Sequence, residues 1–266
     1  MSTTIPLDRL QVAIAEVVIF SIIQVVQFAT RYIQEWRYWH HGMRKSLPRC
    51  FFYSWCGLLG VLAQLRIAGS AMVISNPHPE KSLLVSEYIL QGIGLSPLLF
   101  EVSLVLLRSG QSGRTGPGNS RYPKKIRFAL HFFRFPVFIS IVLVLVGAAA
   151  DIYACLVVGS VVLVITFAYG CALAGWLAVQ YRAVLPVSGR RSVVLVLVAL
   201  PFLVIRVAYF LLAEFGPRKF DPAVGDTSVM VGMGLLMEIL IIVCLLTARA
   251  MAEPFWSVPA QMELTA

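Results

Sequence analysis

The sequence predicts an all-α, polytopic membrane protein with seven transmembrane helices. Three observations carry this. Apolar residues make up 59% of the 266 residues and charged residues only 13%, against roughly 25% charged in a soluble domain. Mean hydropathy is +0.82. Seven segments are long and apolar enough to cross a hydrocarbon core about 30 Å thick, which takes about 20 residues of helix. The composition excludes a soluble enzyme, a disordered regulator and a nucleic-acid-binding domain. Residues 1–266 read as a single transmembrane domain.

Span one, residues 10–29, follows a start that lacks a basic n-region and carries Glu16, Gln24 and Gln27. It therefore reads as a retained helix rather than a cleaved signal. Span two, 51–74, carries Arg66. Span three, 83–107, places Glu87, Gln91, Gly94, Leu98 and Glu101 at steps of 4, 3, 4 and 3, which is one helical face. Gly92, Gly94, Ser96 and Pro97 mark the same helix for a kink. Spans four and five, 128–149 and 152–179, form one apolar stretch divided at Asp151 after Gly147. His131 and Arg134, near the inner end of span four, are expected to snorkel to headgroups. Span six, 193–213, carries Arg206 and Tyr209, and span seven, 229–248, carries Glu238.

Basic residues set the expected orientation. Arg31, Arg37, Arg44, Lys45 and Arg49 fall in loop one. Arg108, Arg114, Arg121, Lys124, Lys125 and Arg127 fall in loop three, Arg182, Arg190 and Arg191 in loop five, and Arg249 in the tail. On the other side stand only Arg9, Lys81, Arg218 and Lys219. The bias places the N-terminus outside or lumenal and the C-terminus in the cytosol, in a multi-pass protein of the endoplasmic reticulum or plasma membrane. The cytosolic loops then face anionic lipid, and the formal charge of +9 needs no nucleic acid to explain it.

Sliding the chain by 140 residues aligns Arg66 with Arg206, Pro77 with Pro217, Gly92 with Gly232 and Gly94 with Gly234. This offset is a candidate 3+1+3 pseudo-repeat, with span four as linker, of the kind found in small-solute carriers.

Ionisable groups at span centres cost about 2.5–3.5 kcal/mol each on insertion scales and need partners or water. Arg66 and Arg206 lie ten residues from Asn76 and Gly216, and Glu238 ten residues from Ser228. That is roughly 15 Å of helix, near the midplane. Glu16 and Glu87 fall in the outer half. These groups predict a polar cavity in which Glu16, Glu87 and Glu238 are candidate catalytic acids. Arg66, Gln91, Arg206 and Tyr209 are the candidate substrate-binding residues. A set of structural ion pairs is the competing reading. No cofactor and no metal are expected: H-E-x-x-H, G-x-S-x-G and P-loop motifs are missing, and His40, His41, His78 and His131 lack metal-site spacing. Cys50, Cys56, Cys155, Cys171 and Cys244 lie in or beside apolar runs and read as buried thiols.

The segments RIAGSAM around Arg66, EYILQGIGLSPLL from Glu87 to Leu99, LPFLVIRVAYFLL around Arg206 and VMVGMGLLMEILIIV around Glu238 resemble a fungal family of seven-helix integral membrane proteins, a domain of unknown function. The resemblance covers most of the chain. It implies a seven-helix fold and a fungal source. Some fungal multipass proteins of this size accompany secondary-metabolite genes, and some of those are cyclases. The resemblance therefore implies, as one expectation, an accessory membrane-embedded enzyme with a cyclase-like acid/base role on a lipophilic small molecule. No motif matches the known membrane terpene cyclases residue by residue. The alternatives are a small-solute or metabolite transporter, which the pseudo-repeat and midplane charges favour, and a seven-helix sensor.

Overall fold

The computed structural model describes residues 7–41, 47–75, 94–111, 120–150, 152–180, 185–220 and 225–252; within these ranges the side chains of 7, 35–41, 47, 49, 53 and 218 are excepted. Glu87, Gln91 and Asp151 lie outside the described residues. The helices are α1 (Leu7–His41), α2 (Leu47–Trp55), α3 (Leu58–Ser75), α4 (Leu95–Ser109), α5 (Lys124–Phe132), α6 (Arg134–Ala149), α7 (Tyr153–Gln180) and α8 (Val187–Phe215). A 3-10 turn (Arg218–Phe220) leads to the last pass. That pass consists of α9 (Thr227–Val229), a π-helical segment (Met230–Leu236) and α10 (Met237–Ala250).

Six stretches are long and apolar enough to cross a membrane: Asp8–Gln34, Leu58–Ser75, Lys124–Ala149, Tyr153–Gln180, Val187–Phe215 and Thr227–Ala250. The seventh, expected over 83–107, is represented among the described residues by α4, which starts at Leu95 and has 15 residues. At 1.5 Å per residue that is roughly 22 Å, short of the hydrocarbon thickness. Among the described residues six stretches thus have the length and hydropathy of a span, and residues 83–93 of the expected third span lie outside them.

The bundle is apolar outside, as a lipid solvent requires, and turns polar side chains inward among a mostly apolar core. On α1, Ile14, Val18, Ile22 and Val25 are exposed, whereas Glu16, Gln24, Gln27 and Arg31 are buried. Arg31, assigned to a loop from sequence, is thus part of the packed face of α1. Phe128, Phe132, Phe135 and Phe138 are exposed on α5 and α6 in the same way. At the centre stands α4, which has no exposed residue and touches α3, α5, α6, α7, α8 and α10. Leu98, Leu99, Val102, Val105 and Leu106 make it apolar around most of its circumference, the pattern of a helix enclosed on every side.

Two spans are broken where the sequence reading drew them continuous. Span two divides at Cys56 and Gly57 into α2 and α3. A side chain at Gly57 would start 2.0 Å from Gln27 Nε2 and 2.1 Å from Arg31 Nη1, so polar side chains of α1 occupy that space. Span four is interrupted at a single residue, Phe133, whose backbone angles stay helical, between α5 and α6. Pro136 then falls in the first turn of α6, where its missing N–H has no helical partner to lose. Arg134 does not snorkel: its Nε donates to Ser103 Oγ of α4 at 2.9 Å. Elsewhere small residues bring helices together. Gly159 of α7 lies against the Ser140 carbonyl of α6, and Gly147 of α6 against the Leu156 backbone of α7.

Candidate functional site: a buried charge cluster beneath a small cleft

The direction of each helix defines two faces of the bundle. The N-face is where α1 and α9 begin, and there Arg9 Nη2 donates to the Gly225 carbonyl at 3.0 Å. On the opposite C-face, Gln34 Nε2 donates to the Arg249 carbonyl.

Between the faces, three helices meet on one carboxylate. Arg66 of α3 donates from Nε to Glu238 Oε1 at 2.9 Å and from Nη2 to Glu238 Oε2. Arg206 of α8 donates from Nη2 to the same Oε2 at 3.2 Å. Glu238 of α10 is 0% exposed. The two-pronged contact from Arg66 uses the planar fork that suits guanidinium to carboxylate. The π-helical segment just before Glu238 adds a residue to the turn and so resets the direction of every side chain that follows. Gly234, inside it, makes room for an aromatic neighbour: a side chain there would start 3.3 Å from Tyr209 Cε1. The Tyr209 ring lies 5.5 Å from the Arg206 guanidinium carbon, within cation–π range.

A cleft of about 20 Å³ opens between α1 and α3, lined by Arg9, Glu16, Arg66, Ser70 and Met230 among others. That is room for about one water. Ser70 Oγ donates to Glu16 Oε2 at 2.5 Å. Of the candidate residues named from sequence, the structure thus brings Arg66, Arg206, Tyr209 and Glu238 into one cluster. Glu16 joins it through the cleft it shares with Arg66. Arg206, Tyr209 and Glu238 do not line the cleft.

Two further polar groups went unassigned in the sequence reading. Near the C-face, Arg249 Nη1 stands 2.7 Å from Glu101 Oε1, with Glu101 fully buried. Sequence reasoning had put Arg249 in a tail. With Glu238 placed inward, the spacing accounts for it: Glu238 and Arg249 are eleven residues apart, close to three helical turns and hence one face. The second group sits where α1 crosses α2 and α3. Gln27 Nε2 donates to the Ser54 carbonyl at 3.3 Å. Gln24, with both amide atoms buried, and Ser54 Oγ have no hydrogen-bond partner among the described residues. Leaving such a group dry costs about 1–3 kcal/mol. Among the described residues no cluster of His, Cys, Asp and Glu has the makings of a metal site.

No curated protein and no solved structure matches the chain. A family model, described as "Domain of unknown function (DUF7702)", matches residues 8–253. With nearly the whole helical bundle inside that match, the protein belongs to the DUF7702 family.

Proposed function

We propose that the protein is a seven-pass membrane protein that binds a small anionic solute in the cleft between α1 and α3, as a carrier rather than as an acid catalyst. The observation that carries this reading is the Arg66–Glu238–Arg206 cluster directly beneath the cleft. Two guanidinium groups share one carboxylate, and one of them, Arg66, also lines the cleft. An incoming oxyanion competes with Glu238 for Arg66 and so couples binding to the contacts among α3, α8 and α10. Both oxygens of Glu238 already accept from arginine, so neither is presented to a reacting atom. The shared direction of α3 and α8, with Arg66 and Arg206 meeting on one group, supports the 140-residue pseudo-repeat.

The reading is tested by thermal unfolding of the protein in detergent across sodium chloride, acetate and methanesulfonate at fixed ionic strength. A ligand that binds only the folded state raises the midpoint by mass action. The expected result is a saturable rise with a small oxyanion that Ser70→Ala weakens at least fivefold. Equal responses to all three salts would remove the anion site.

A second reading retains the membrane-embedded enzyme of fungal secondary metabolism. Its support is Glu16, a carboxylate that lines the cleft beside Ser70 and is placed as an acid. Size weighs against it. A lipophilic metabolite needs a pocket of roughly 300–1,000 Å³; the cleft holds about 20 Å³, so α1 and α3 must part for a small oxyanion and part much further for a metabolite.

The same proposal sets the N-face outside or lumenal and the C-face in the cytosol. Reporter fusions between Gln111 and Ser120 are expected to report a cytosolic location, and a lumenal signal there would reverse the topology.

A further inference from the structure

We propose that the cleft takes up its anion together with one proton, and that Glu16 holds the proton. This rests on the anion-binding reading of the cleft and adds to it the positive charge that accompanies the anion.

Glu16 of α1 is 7% exposed and lines the same cleft as Arg66 and Ser70 of α3. An anion entering that space meets a like charge. Two negative groups sharing a desolvated site cannot both stay ionised without a large penalty, and one of them takes a proton.

The charged groups that face Glu16 from the helices packed around it are Arg66 of α3, Arg206 of α8 and Glu238 of α10. Arg9, two turns nearer the N-face on α1, also lines the cleft. It is partly exposed, so water weakens its field. The four inner groups are two guanidinium groups and two carboxylates, and their charges cancel. An added anion leaves this buried set with one net negative charge, which a membrane interior disfavours. One proton restores the balance.

The hydrogen bonds say which carboxylate can accept it. Glu238 accepts from Arg66 and Arg206 on both of its oxygens. A guanidinium donates and cannot accept, so a proton on Glu238 has to displace one of those bonds. Glu16 Oε2 instead accepts from Ser70 Oγ at 2.5 Å, and a hydroxyl does both. With a proton taken from water, Glu16 donates to Ser70 Oγ across the same contact. The hydroxyl hydrogen of Ser70 is then released to turn into the cleft and donate to the anion beside Arg66. No covalent bond of the ligand changes.

The same proton loosens the walls that have to part. Glu16 on α1 and Arg66 on α3 attract each other across the cleft. Neutralising Glu16 removes that attraction. It also leaves Arg66, Arg206 and Glu238 with one net positive charge, ready for the anion.

The test uses the full chain in detergent and the N-methylglucamine salt of methanesulfonate, an anion that stays charged, with the chloride salt at equal ionic strength as blank. A pH-stat at pH 7 is expected to record close to one proton taken up per anion bound. In buffered solution the dissociation constant, read from the thermal midpoint against concentration, is expected to rise at least tenfold from pH 6.5 to pH 8.5. Glu16→Gln is neutral at every pH and its amide can still donate to Ser70. It is expected to take up no proton, to bind with the same affinity within twofold at both pH values, and to bind at least tenfold tighter than wild type at pH 8.5. Wild-type binding with no proton uptake and no pH dependence overturns the proposal and leaves the anion site standing. That result decides the matter if Glu16→Gln fails to fold. Proton uptake that persists in a folded Glu16→Gln protein places the proton on another group and overturns it as well. So does binding of methanesulfonate as its sodium salt alone, because a metal cation then balances the charge. No saturable binding by either protein at any pH removes the anion site and the proton with it.

Discussion

Replacing Glu238 with alanine is expected to destabilise the bundle by about 3–5 kcal/mol, the cost of stripping the partner from a buried charge pair. Arg66 and Arg206 would then be left facing each other inside the bundle with their shared acceptor gone. Arg206, which does not line the cleft, cannot reach water without unpacking α8, and Arg66 keeps only the water-sized cleft. Unfolding by titration with sodium dodecyl sulfate, followed by circular dichroism, measures the effect. Glu238→Gln is expected to fall between alanine and wild type, because the amide keeps one acceptor oxygen. The triple variant Arg66→Met, Arg206→Met, Glu238→Leu removes all three charges at once. It is expected to fold to within about 2 kcal/mol of wild type, since an apolar replacement of a whole buried ionic group is often neutral or better. Its response to methanesulfonate should be lost. An alanine variant as stable as wild type would show that the cluster is wetter than its burial implies.

The second large effect is expected at a position with no charge at all. Gly189, near the start of α8, faces the carbonyl of Ser109 at the end of α4. A side chain at Gly189 would start 2.2 Å from that oxygen and 3.1 Å from its carbon. Both atoms are backbone and cannot swing aside. Gly189→Val is therefore expected to cost about 3 kcal/mol, at the upper end for overpacking, by forcing α4 and α8 apart. Gly175, within α7, is the control, because nothing lies within 4 Å of where its side chain would start. Gly175→Ala should be neutral or stabilising by up to about 1 kcal/mol, from helix propensity. The same detergent titration compares them, and equal midpoints for the two variants would refute the close α4–α8 contact.

Much of the central cluster was legible in the sequence because depth in a membrane can be counted. Arg66, Arg206 and Glu238 each lie ten residues from a polar boundary, and the structure joins them. What could not be counted was azimuth. Nothing in the residues around Arg249 says that its side chain turns inward to Glu101. The eleven-residue spacing from Glu238 becomes informative only once Glu238 is known to face inward. The break between α2 and α3 at Gly57 was not legible. There the cause is the bulk of Gln27 and Arg31 on a different helix, a tertiary reason invisible in the local sequence. Of span three only the part from residue 94 onward is described. The described helix begins at Leu95 and is enclosed by protein on every side.

That enclosure has a consequence for how the protein is made. α4 leaves the ribosome about 80 to 140 residues before α8 and α10, which at roughly 5–20 residues per second is a delay of several seconds to about half a minute. Throughout that interval Glu101 has no Arg249 to meet, and the surfaces that α8 and α10 will cover face lipid or the translocon. The helix that ends at the centre is thus among the last whose environment is completed. The Glu101–Arg249 pair can therefore form only once the pass that carries Arg249 has been made.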